Sequence, residues 1–163
     1  MDWDAALRLL SALTAHGVEY ILVGGAALGM HGLVRATEDV DIFVRPAEEN
    51  VARLRRALES LYQDPCISEI QASDLAGEYP AIRYYPPTGE LFVDILSRLG
   101  EFASFDDLRW EWKDVEGVRV PVATPQTLYW LKRGTVRPQD RLDAEALRER
   151  FGLPDEAGPG KAK

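Results

Sequence analysis

Cysteine is almost missing from this 163-residue chain. Cys66 stands alone, so no internal disulfide can form, and it reads as an ordinary core or surface thiol. Long apolar runs are missing too, since none approaches the roughly 20 residues of a membrane-spanning helix. The N-terminus opens on Asp2 and Asp4 and lacks a basic n-region, which argues against a secretory signal and makes the cytoplasm the expected location. Basic residues are in deficit. Lys and Arg total 19 against 27 Asp and Glu, for a net charge of −8. Polyanionic nucleic acid is usually held by a basic face, so any such contact here must rest on a local patch or on bound metal. No repeat or linker divides the chain, and its length and 46% hydrophobic content suit one domain, residues 1–153, with a single core. From Pro154 to Lys163 the composition turns to Gly, Pro and Lys, and a frayed tail is expected.

The periodicity predicts α+β with a mixed sheet. Ala5, Leu9, Ala12 and Leu13 mark a helix over 4–15 that Gly17 stops. Tyr20 to Val23 reads as a buried strand entering Gly24-Gly25, and Ala26 to His31 as a short helix packed behind that turn. A second strand spans Glu38 to Val44. Pro46 and Glu48-Glu49 open an amphipathic helix with Val51, Leu54, Leu58 and Leu61 on its apolar stripe. Residues 62–78 are irregular, with an edge strand expected around Ile67 to Ile70. Two hairpins follow, one around Pro86 to Gly89, the other around Asp114 to Gly117 with Trp110 and Trp112 packed on it. Helices from Pro125 to Leu131 and from Pro138 to Arg150 close the domain.

Asp39 and Asp41 stand two apart on a strand and therefore share a face, about 6–7 Å apart, with Val40 and Ile42 turned inward. Two ionised carboxylates at that spacing repel unless a cation lies between them, and Mg²⁺ or Mn²⁺ suits oxygen donors. Asp94 sits in the apolar run Leu91 to Leu96, where a lone charge is costly; metal coordination, a salt bridge or a strand-end position would each explain it. Gly24-Gly25, between a strand and a helix, can present backbone N–H groups to a phosphate, or can simply make a tight turn.

Taken together, Gly24-Gly25-Ala26-Ala27, His31-Gly32, Arg35, Thr37 and Asp39-Val40-Asp41 resemble the start of the DNA-polymerase-beta-like nucleotidyltransferases, closest to the small bacterial AbiEii-type group, some of which are toxins of toxin–antitoxin pairs. Leu131-Lys132, Arg137, Asp140 and Leu142-Asp143 resemble the pattern that closes such domains. The resemblance implies the nucleotidyltransferase fold and two metals on Asp39, Asp41 and Asp94. It further implies triphosphate contacts from Gly24, Gly25, Lys132 and Arg137, and an orienting or base role for Asp140. Arg35 is expected to neutralise Asp39 or touch phosphate, Asp143 is the weaker candidate, and His31 reads as structural. Two positions depart from the pattern: Ala26 follows Gly25, so the usual serine hydroxyl is absent, and Gln139 replaces an expected Lys. The reaction implied is Mg²⁺-dependent transfer of a nucleoside monophosphate from a triphosphate to an acceptor hydroxyl. That hydroxyl belongs to RNA (tRNA above all), a protein or a small molecule, and an antitoxin is the implied partner. A non-catalytic nucleotide- or partner-binding module of the same fold is the alternative.

Overall fold

The computed structural model describes residues 1–77 and 80–155. Helix α1 (Trp3–Ala15) starts where the Asp2 carboxylate accepts from the Ala5 N–H, and Gly17 follows its end at φ 69°. Strand β1 (Tyr20–Val23) passes straight into α2 (Gly24–Met30), and β2 (Asp39–Val44) leads to α3 (Glu48–Glu59). The hairpin β3 (Ala81–Tyr84) and β4 (Phe92–Leu96) comes next, followed by the small pair β5 (Arg98–Leu99) and β6 (Ala103–Ser104). The second hairpin, β7 (Trp110–Val115) and β8 (Val118–Ala123), turns on Glu116 and Gly117, both at positive φ, as a two-residue turn of matching twist requires. Helices α4 (Pro125–Lys132) and α5 (Pro138–Phe151) complete the chain, each with proline in its first turn.

The six-stranded sheet has the order β3-β4-β2-β1-β8-β7. It is mixed: β2 runs parallel to β4 and β1 to β8, while β1–β2 and both hairpins are antiparallel. Val40, Ile42, Val93, Ile95 and Leu22 point to one face and join Leu9, Leu10, Leu54 and Leu58 in the core. Asp39, Asp41 and Asp94 fall on the other face.

One expectation needs correction. No strand forms at Ile67 to Ile70; Pro65–Glu69 is a 3₁₀ turn, set by Pro65 and capped by the Asp64 carboxylate on the Cys66 N–H, and Ile67 is buried through it. Of the expected tail, Asp155 makes contacts with the domain: its carbonyl accepts from the Tyr129 hydroxyl and from Arg133, and its carboxylate pairs with Arg148. The remainder of the expected tail, 156–163, lies outside the described residues. Among the described residues no helix is long and apolar enough to cross a membrane.

Candidate active site

Parallel pairing of β2 with β4 places Asp41 directly beside Asp94, with Asp39 two residues up the same face. Oxygens of Asp39, Asp41 and Asp94 lie within 4.8 Å of one another, and all three side chains are half-buried. Burial, then the charges of Asp39 and Asp94, push the Asp41 carboxyl up to about 7. The Thr37 hydroxyl, shared between the Asp39 carbonyl and the Asp39 carboxylate at 3.1 Å each, fixes that side chain. Three hard oxygen donors, mutually repelling and converging from two rigid strands, fit a divalent cation of the Mg²⁺ or Mn²⁺ type.

Gly24 closes the site from above. It sits at φ 72°, and a Cβ there would run into the Asp41 carboxylate, whose Cγ would lie 2.8 Å away. A Cβ on Gly25 would approach Thr37 at 3.1 Å, which would displace the side chain that orients Asp39. The glycine pair thus lets the start of α2 lie against the carboxylates.

A second cluster faces the first. Lys132, at the end of α4, donates to Asp140 at 3.2 Å and to Asp143 at 3.1 Å, both buried in α5, and its charge reaches Asp41. Thr135 donates to Asp140 at 2.8 Å. Burial raises the Asp140 pKa, but the Thr135 hydrogen bond and the Lys132 charge outweigh it and hold the carboxyl below the usual range. A carboxylate so engaged is a weak base, which favours the orienting role over proton abstraction. Arg137 is exposed, its Nε 3.9 Å from Asp140. Gln139 donates to Asp143 at 3.0 Å.

Arg35 does not neutralise Asp39. Its guanidinium donates to Asp143 at 2.7 Å, which makes Asp143 the hub between Arg35 and Lys132 rather than a marginal residue. The arginine on these three carboxylates is Arg83, which sequence reasoning did not single out. It donates to both Asp94 oxygens, at 2.7 and 2.8 Å, and lies 3.5 Å from Asp39. Its hydrogen bonds hold the Asp94 carboxyl below its ordinary pKa. This half-exposed guanidinium occupies donor sites a cation would use. Arg83→Met is therefore expected to tighten Mn²⁺ binding severalfold, read by calorimetry on the nucleotide-free protein. Unchanged or weaker binding would mean that Arg83 does not compete.

The His31 ring is buried and donates to the Ala123 carbonyl at 2.7 Å, and burial pushes its pKa down. A groove of about 440 Å³ lined by Tyr20, Arg45, Arg109 and Trp112 contains none of the three carboxylates. A second cavity, of about 420 Å³, is lined by Arg35, Gln139 and Asp143 and adjoins the site.

Residues 8–144 match the family described as nucleotidyl transferase AbiEii toxin, type IV toxin–antitoxin system. The chain belongs to this AbiEii family. Among solved structures, the AbiEii chain is similar to TM1012 of Thermotoga maritima, assigned as a nucleotidyltransferase (15% identity, TM-score 0.56, 92% of each chain covered). It is also similar to ANT(2″)-Ia, solved with adenylyl-2″-tobramycin (13% identity, TM-score 0.57, 91% of this chain and 88% of that one). At these identities the likeness establishes the shared nucleotidyltransferase fold. No curated protein matches the AbiEii chain.

Proposed function

We propose that this AbiEii-family protein transfers a nucleoside monophosphate from a nucleoside triphosphate to an acceptor hydroxyl, with Asp39, Asp41 and Asp94 holding Mg²⁺ or Mn²⁺. The observation that carries the proposal is the convergence of these carboxylates beneath the Gly24 turn, within 4.8 Å of one another. Bound metal would supply Lewis-acid stabilisation of the phosphoryl oxygens and lower the pKa of the attacking hydroxyl.

The chain's own groups do the rest. Gly24 and Gly25, at the start of α2, would offer their backbone N–H groups to the triphosphate. Lys132 and Arg35, held by Asp140 and Asp143, lend positive charge beside it, and Arg137 adds an exposed cation at the rim. Five carboxylates (Asp39, Asp41, Asp94, Asp140, Asp143) here face four basic side chains (Arg35, Arg83, Lys132, Arg137), so a triphosphate enters favourably only with added cations. The hydroxyl oxygen attacks the α-phosphorus and releases its proton to solvent, the bond from the α-phosphorus to the bridging oxygen breaks, and pyrophosphate leaves.

The acceptor we favour is an RNA end of the tRNA type, with a protein hydroxyl as second choice; the partner we favour is a cognate antitoxin, which the toxin–antitoxin description of the family supports. The test incubates the protein with each α-labelled triphosphate, Mg²⁺ or Mn²⁺, and separate pools of cellular RNA and protein. Label should enter the RNA pool and vanish with Asp39→Asn. Triphosphate binding without labelling of either pool would turn the reading to a non-catalytic module, or, if pyrophosphate is still released, to a small-molecule acceptor.

A further inference from the structure

Strands β3 and β7 form the two edges of the sheet, and β7 is the longer, six residues against four. The Thr124 N–H donates to the Arg109 carbonyl at 3.0 Å, so the Arg109 carbonyl faces the β8 side, while its N–H donates to the Thr127 hydroxyl at 3.2 Å. Alternation along an antiparallel ladder then directs the N–H and C=O of Trp110, Trp112 and Asp114 away from β8, out to the open edge. Such an edge is ordinarily blunted by proline, a bulge or a covering segment, because it invites pairing. Here β7 carries no proline, pairs with β8 without a break in register, and has no strand on its outer side among the described residues.

Its side chains are arranged to complement themselves. Trp110 and Trp112 share one face, exposed at 42% and 47%, packed edge to face with centroids 5.1 Å apart, and Arg119 lies over Trp112 at 4.9 Å. Glu111 and Lys113 share the other face, 3.6 Å apart.

We propose that β7 pairs antiparallel with β7 of a second copy of this chain, about a two-fold axis through Trp112. In that register Trp112 faces its own counterpart in a hydrogen-bonded pair, which uses the outward backbone groups. Trp110 and Asp114 form the flanking hydrogen-bonded pairs. Glu111 then meets Lys113 of the second copy, and Lys113 meets its Glu111, at the non-hydrogen-bonded positions where side chains come closest. Four charges alternate in sign across the interface, and the four tryptophans share one face. Centring the axis on Glu111, Lys113 or Asp114 would set like charges opposite each other, and centring it on Trp110 would leave half the strand unpaired. The contact is isologous and closed, so it stops at a dimer with one continuous sheet. One strand pair and an aromatic cluster bury less than the roughly 1,600 Å² of a standard interface, so the affinity belongs in the micromolar range.

Sedimentation velocity on the full chain, from about 1 to 200 µM, reads this directly. The mass should rise from 18.2 kDa toward twice that value. Lys113→Glu sets Glu against Glu, Glu111→Lys sets Lys against Lys, and each variant should stay monomeric. An equimolar mixture of the two should dimerise again, because each strand now meets its opposite, and the double exchange E111K/K113E should dimerise alone. Recombination also proves the variants folded. A wild-type monomer at every concentration, or single variants that dimerise like wild type, overturns the proposal.

Discussion

Asp41→Asn should abolish nucleotide transfer while raising the melting temperature of the metal-free protein. The loss follows from the position of Asp41 between Asp39 and Asp94. A cation held there would contribute several kcal/mol to the transition state, so removing one of the carboxylates that would hold it should cost about 10³-fold or more. The gain in stability follows from the same crowding. In the unfolded chain Asp41 gives up its proton near 3.8, whereas the folded protein retains it to about 7. The folded state therefore binds the extra proton between those values, and this group's contribution to stability falls as pH rises from about 4 to about 7. Asparagine carries no charge at any pH. The variant should match wild type below about pH 4 and exceed it by on the order of 1–2 kcal/mol at pH 8, a rise of about 2–8 °C. This lies below the full linkage value because neighbouring side chains relax when one charge goes. Mg²⁺ should stabilise wild type and leave the variant unmoved, since a ligand stabilises only the state that binds it. Thermal melts at two pH values, with and without Mg²⁺, check all of this. A variant less stable than wild type at pH 8 without metal would contradict the crowding argument.

Gly24→Ala should damage the site more than any other single methyl group. Its backbone lies in the left-handed region, which costs a non-glycine residue about 1–2 kcal/mol, and the new Cβ would run into the Asp41 carboxylate. Asp41 can escape only by leaving its place beside Asp94, so metal affinity and turnover should fall together, with a melting temperature lower by several degrees. Gly29→Ala is the control from the same helix. It is exposed at negative φ, with nothing within 4 Å of a new Cβ, and alanine there should stabilise by about 0.5–1 kcal/mol. Equal behaviour of the two variants in metal titration and melting would remove Gly24 from the site.

Much of this site is local and therefore legible in the sequence. Asp39 and Asp41 share a face because strand periodicity is two, and Gly24-Gly25 sits at a strand–helix junction that a few residues define. Arg83 shows the limit. A hairpin turning on Pro86 to Gly89 alone, with Tyr85 opposite Glu90, would set Arg83 opposite Phe92, whereas the observed loop is wider and sets it opposite Asp94. A two-residue shift preserves the face, so the sequence already implied that Arg83 and Asp94 share a side; only their contact depended on loop width. The pairing of Arg35 with Asp143 is different in kind. It joins residues 108 apart through the docking of α5, and nothing near either residue encodes it. Arg35 was expected on Asp39 because Asp39 is near in sequence, but the extended segment before β2 carries the guanidinium to α5 instead. The expected strand at Ile67 to Ile70 failed for a local reason, since Pro65 and the Asp64 cap favour a 3₁₀ turn that still buries Ile67.

The most direct test of the chemistry compares two labels in one triphosphate, at the α- and γ-phosphorus, with the acceptor pool, Mg²⁺ and either wild type or Asp39→Asn. Attack at the α-phosphorus predicts that α-label becomes fixed to the acceptor while γ-label leaves as pyrophosphate, in equal amounts, and that both signals vanish without metal or in the variant. Fixation of γ-label, or α-label transfer that survives Asp39→Asn, would contradict the assignment of this carboxylate trio to nucleotidyl transfer.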